Sequence, residues 1–100
     1  MIRRIGNDIT VSWEILTDNE PVSLENRDLK LVMTGPMGNS KELTFTVSGN
    51  ILSFDLPGKE QKTCGFYDFT LWENKDGSEQ KVVDVYHDLE LVPHSYLEKD

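Results

Sequence analysis

The chain has one cysteine, Cys64, among its 100 residues, so an internal disulfide is excluded. Small secreted domains usually depend on such cross-links, and doing without them fits cytosolic synthesis or a disulfide-free lineage. Basic residues are also scarce. Ten Lys and Arg stand against 18 Asp and Glu, a formal net charge of −8. Binding a phosphate backbone gains from counterions released at clustered Lys and Arg. The one such cluster is Arg3-Arg4, so nucleic acid is not an expected partner. Long apolar runs are missing as well, which leaves nothing to span a bilayer with a helix. Segment 1–8 carries charge but no apolar stretch of the signal-peptide kind, so synthesis in the cytoplasm without a signal peptide is expected. Glycine-rich phosphate loops, serine nucleophile elbows, repeats and helix-period segments longer than a turn are all absent.

What is present is alternation. Ile9, Val11, Trp13 and Ile15 interleave with Thr10, Ser12 and Glu14, predicting a strand over about 9–16. Segment 17–21 breaks it, because Asp18 and Asn19 favour turns and Pro21 cannot donate to a ladder. Val22 and Leu24 are expected to anchor the following connection in the core. Further strands are predicted at 29–34, about 42–48, about 51–56 and 65–73, and a last one at 82–92. Tyr67, Phe69 and Leu71 alternate with Asp68 and Thr70. Val83, Val85, Leu89 and Leu91 repeat that phase beyond a turn around Asp76-Gly77, which reads as a β-hairpin.

Pattern also proposes register. A two-residue Gly49-Asn50 loop pairs Val47 with Leu52, Phe45 with Phe54 and Leu43 with Leu56. A three-residue loop would set Phe45 against Ser53, and a one-residue slip turns a whole side-chain set to the wrong face. In the last hairpin the same arithmetic pairs Leu71 with Val83, Phe69 with Val85 and Tyr67 with His87. A core-facing His87 is uncomfortable. Either it sits at the end of the domain beside Tyr67, or a bulge turns Tyr86 inward in its place. The outward set of this hairpin is Phe66, Trp72, Val82 and Tyr86, among Asp68, Asp84, Asp88 and Glu90.

These features predict one all-β domain over 1–92, with 93–100 as a tail or the start of a linker. Gly65-Phe66-Tyr67-Asp68-Phe69 resembles the tyrosine-corner strand of immunoglobulin-like β-sandwiches, which implies six to seven antiparallel strands. Trp13 lies on the first strand and the antibody Cys…Trp…Cys framework is absent, so an antibody-type domain is excluded. The order of Ile9–Ile15, Glu20–Leu24, Leu29–Met33, Gly49–Phe54, Gly65-x-Tyr67 and Asp84–Val92 resembles the immunoglobulin-like N-terminal domains of phage baseplate and tail proteins. That resemblance implies a structural, non-enzymatic module of a virion, which docks protein partners in an assembly. It implies no catalytic residues and no cofactor.

Candidate chemistry is sparse. His87, Asp84, Asp88 and Glu90 have metal-site composition, yet His87 points away from the other three on a regular strand, and no metal site is expected. Asp18-Asn19-Glu20 lacks the spacing of a calcium loop and reads as a turn. Cys64 has no histidine close in sequence and reads as a small buried hydrophobe. The outward residues Phe66, Trp72, Val82 and Tyr86 are the candidate interaction surface. A covering strand or tail, a protein partner (a second copy of the chain included) and a glycan stacked on the aromatic rings all remain open as what meets them.

Overall fold

The computed structural model describes residues 1–95. It is all-β, with ten strands: β1 (Ile2–Arg4), β2 (Ile9–Glu14), β3 (Leu16–Thr17), β4 (Glu20–Pro21), β5 (Leu29–Thr34), β6 (Ser40–Leu43), β7 (Thr46–Ser48), β8 (Ile51–Leu56), β9 (Gly65–Glu73) and β10 (Lys81–Val92). A short 3-10 turn covers Gly58–Glu60. Five strands form one sheet in the order β1-β10-β9-β5-β6, three form a second in the order β2-β8-β7, and β3 and β4 make a small hairpin. Both Asp18 and Asn19 of that hairpin take positive φ, as a two-residue primed turn requires.

The core lies between the two main sheets. Val11, Trp13, Leu52 and Phe54 come from the three-stranded sheet, and Leu31, Phe69, Leu71, Leu89 and Leu91 from the other. Phe54 and Phe69 meet across the interface with ring centroids 4.7 Å apart. Leu24 is fully buried and Val22 half-buried, so the connection after β4 is pinned as its sequence suggests. Three features depart from the sequence reading. The strand expected to be wholly antiparallel has a parallel neighbour, because β1 runs alongside β10 with Ile2 opposite Glu90 and Arg4 opposite Val92.

The second departure is at 42–48, which is two strands in two sheets. Leu43 pairs with Leu31 in the larger sheet, whereas Val47 pairs with Leu52 in the smaller one. The Gly49-Asn50 register therefore holds at Val47, and Gly49 has the positive φ of such a loop. Phe45–Phe54 and Leu43–Leu56 are not pairs, because the chain crosses between sheets at Thr44-Phe45. Alternation survives this crossing since both sheets face the same core, so pattern alone could not reveal it.

The third departure is in β10. Two register shifts, between Val82 and Asp84 and between Tyr86 and Leu89, replace the regular pairing. Asp84 stands opposite Leu71, Tyr86 opposite Phe69 and Leu89 opposite Tyr67. Each bulge reverses the side-chain phase. His87 is left exposed and Tyr86 turns inward against the core, the second of the two arrangements weighed for this hairpin. The predicted tail at 93–100 is described only as far as Ser95, and the rest of it lies outside the described residues.

Candidate functional site

Residues of even number on β9 face away from the core, because Tyr67, Phe69 and Leu71 are buried. Phe66 is therefore outward and 66% exposed. Trp72 lies on the same face, half-buried, with Val82 opposite it on β10 and Lys30 opposite it on β5. Val82 is 45% exposed. The first bulge of β10 adds Val85, which pairs with Thr70, and β1 adds Ile2, which pairs with Glu90. These two are 39% and 38% exposed. Three of the four residues expected to form an interaction surface are thus together on one sheet face.

Tyr86 is the exception, and its place is a correction. The phase reversal at Val83 turns it toward Trp13, with ring centroids 5.7 Å apart, and toward Phe69, 6.1 Å away. Burial raises its phenol pKa above the ordinary value. Asp84 is displaced in the same way. Expected among the outward acids, it instead accepts a hydrogen bond from the Trp13 indole N–H at 3.2 Å. That bond satisfies the polar atom of a tryptophan otherwise buried in the core. Adjacent apolar Val82 and Val83, followed by Tyr86 at an even spacing from Val82, was the available signal that one phase could not hold through this strand.

Around this face the architecture is rigidly tied. Arg27 donates to both carboxylate oxygens of Glu73, from Nε at 2.7 Å and from Nη2 at 2.9 Å, joining the connection before β5 to the end of β9. Lys81 adds a contact at 3.2 Å. The hydrogen bond from Arg27 is the largest cause that holds the Glu73 carboxyl down at about 2, and the same bond raises Arg27. At the far end of β9, the Tyr67 hydroxyl donates to the Thr63 carbonyl, and burial raises its pKa. Gly58 packs so closely on Gly6 that a Cβ there would stand 2.0 Å from the Gly6 carbonyl oxygen. Its N–H donates to Asp8 at 2.8 Å.

A groove opens on the side where the chain changes sheets. This groove, of about 820 Å³, runs between β6 and the segment after β8. Met33, Leu43, Phe45, Phe54 and Leu56 line its floor, and Met37, 75% exposed, stands at its mouth. Lys41 and Glu60 form a 2.9 Å ion pair at its rim. The hydrogen bond from Lys41 lowers the Glu60 carboxyl below its ordinary value.

Cys64 is exposed, not buried as its residue type suggested. Among the described residues no three His, Cys, Asp or Glu side chains converge as metal ligands. Among the described residues no helix is long and apolar enough to cross a membrane. No protein-family model matches the chain, and no curated protein or solved structure is significantly similar to it.

Proposed function

We propose that this chain is a non-enzymatic interaction module with an immunoglobulin-like sandwich, which docks a protein partner on the outer face of its five-stranded sheet. The observation that carries the reading is the exposed apolar residues of that face, Ile2 and Phe66 toward one end and Val82 and Val85 beside half-buried Trp72 toward the other. Phe66, at 66% exposure, is an unusual side chain to leave in water, and exposed apolar side chains on one face are a feature of contact sites. The strand order supports the fold assignment. With β2, β8 and β7 read as strands B, E and D, the facing sheet β6, β5, β9, β10 reads as C′, C, F and G. The tyrosine-corner bond from Tyr67 to Thr63 falls on the strand that this lettering makes F. β1 departs from the constant-type pattern by joining the sheet of β10.

The resemblance to phage tail and baseplate domains makes a tail-type assembly the proposed setting. The test is co-expression with the products of adjacent genes, followed by purification of complexes. A Phe66→Asp, Val82→Asp variant should stay folded and lose the partner. Complexes that form equally well with this variant would sink the reading.

One observation favours a second reading. A shallow concavity of about 400 Å³ beside the strip has Trp72 with Thr34, Ser40 and Thr70 in its lining, an aromatic plane with hydroxyls around it. A carbohydrate-binding or adhesion module of the same fold would use such a plane for ring stacking. Polysaccharides that leave Trp72 fluorescence unchanged, with a glycan array free of signal, would remove this reading.

A further inference from the structure

We propose that the open edge of β2 takes up one extended segment of a partner polypeptide, selected by an inward acidic residue that pairs with Arg3. The inference stands apart from the outer-face reading, because this edge belongs to the other sheet. β2 is the terminal strand of the smaller sheet, with β8 on one side and no strand on the other. The Ile15 N–H donates to the Asn50 carbonyl at 2.8 Å, which continues the β2–β8 ladder and fixes its phase. Odd-numbered residues of β2 turn their backbone groups toward β8, and even-numbered ones turn theirs away. The N–H and C=O groups of Thr10, Ser12 and Glu14 therefore face the open side, and no strand pairs with them there among the described residues. Each offers a donor and an acceptor in line, the template on which a further strand is added.

The occupant's chemistry is set by what overhangs this edge. Across the core, Phe54 of β8 meets Phe69 of β9, and Trp13 of β2 meets Tyr86 of β10. β1 lies one strand beyond β10, so the larger sheet projects past the smaller one here. Arg3 stands opposite Leu91, a core residue, and so belongs to the inner face of its sheet. With no strand beneath it, Arg3 is exposed, and Met1 and Ile5 on the same phase are half-buried. The Arg3 guanidinium donates to the Ile2 carbonyl at 2.9 Å, and no carboxylate meets it among the described residues.

A strand laid on β2 would cover these three side chains. An apolar residue beneath Arg3 would bury an unpaired guanidinium at high cost, whereas an Asp or Glu there forms a charge-assisted pair. Apolar residues two positions to either side would meet Met1 and Ile5. The same arginine rejects generic β strands and admits one inward pattern, apolar-x-acidic-x-apolar. A second copy joined through its own β2 brings only Ile9, Val11 and Trp13 on that phase, and so lacks the acid. Outward residues of the added strand would extend the polar face of Thr10, Ser12 and Glu14.

The experiment uses the full chain and a short, capped, fluorescein-labelled peptide in which threonines alternate with valine, glutamate and valine. Peptide and chain are both acidic, the chain with a net charge of −8, so long-range attraction does not drive the binding. Saturable binding should weaken about tenfold when the glutamate becomes glutamine, the loss of one charge-assisted pair. In Arg3→Gln, a change at an exposed position that spares the fold, the two peptides should bind alike, which assigns the difference to this pair. Amide exchange gives an independent readout. In the free chain Thr10, Ser12 and Glu14 should exchange fast and Val11 and Trp13 slowly, and the glutamate peptide should slow the first set. Absence of saturable binding, equal binding of the two peptides, or a glutamate preference that survives in Arg3→Gln would each overturn the proposal. Slow exchange at Ser12 in the free chain would overturn it too, because a second copy or another part of the chain would then already hold the edge.

Discussion

The outer faces of the two sheets are built to opposite rules. On the three-stranded sheet, Thr10, Ser12, Glu14, Ser53 and Asp55 make a polar surface, stitched by Thr10–Asp55 and Ser12–Ser53 bonds, with Ile51 its one exposed large apolar side chain among the described residues. On the five-stranded sheet, Ile2, Phe66, Val82 and Val85 are exposed beside half-buried Trp72 and Val32. Both faces back the same core, so folding alone does not explain the difference. A sheet that needs only water on its far side alternates apolar and polar residues, as the smaller sheet does. The larger sheet breaks that rule at both ends of its outer face, at Ile2 and Phe66 and again at Val82 and Val85.

Substitutions on β9 sharpen this contrast most, since Phe66 and Phe69 sit on its two faces. Phe69→Ala, which empties a fully buried site against Phe54, should cost about 3–5 kcal/mol in urea melts. Phe66→Ala should stay within about 0.5 kcal/mol. A cost above about 1 kcal/mol at Phe66 would mean that the monomer already uses the outer strip, and the contrast would break. Tyr67→Phe comes next, at about 1–2 kcal/mol, through loss of its bond to the Thr63 carbonyl.

Acid should loosen the tie between Arg27 and the end of β9. Glu73 is held at about 2, below its ordinary value of 4.5, so its pairing with Arg27 contributes stability that is whole above pH 4.5. That contribution fades as pH falls from 4.5 toward 2, where the carboxyl protonates in the folded state too. In Glu73→Gln, melts followed over this range should lose less stability than the parent. Parallel curves for the two proteins would show that the pair contributes nothing. On the polar face the expected cost is also small. Thr10→Ala removes its bond to Asp55 and should cost about 0.2–1 kcal/mol, measured by the same melts.

Much of the frame was readable because a buried face leaves only one phase open. β2, β5, β8 and β9 fall where alternation puts them, and Val47–Leu52 pairing follows from refusing to bury Ser53. What was not readable shares one cause: partners and extra residues that leave no trace in a two-residue period. The crossing at Thr44-Phe45 preserves phase while changing sheets. β1 has three residues and a partner at the opposite end of the chain. In β10 the bulges cancel over the strand as a whole, so both ends read correctly while Asp84 and Tyr86 between them do not. The candidate site inherits this split. Phe66, Trp72 and Val82 lie outside the bulged stretch, and their outward phase follows from alternation. Tyr86 lies inside it and faces the core, while Val85, which alternation puts inward, is exposed.

The parallel pairing of β1 with β10 has a mechanical consequence. β1 runs from Ile2 to Arg4 in the same direction as β10 runs to Val92. A force that draws the two ends of the domain apart pulls these strands in opposite senses along their length. Every bond between them is then loaded in shear at once, with no end from which they can be peeled singly. Tension along the chain is borne first by this short ladder, together with the Ile5 N–H to Val92 carbonyl bond at 2.8 Å that extends it. The sandwich behind it is shielded until the ladder fails as a unit.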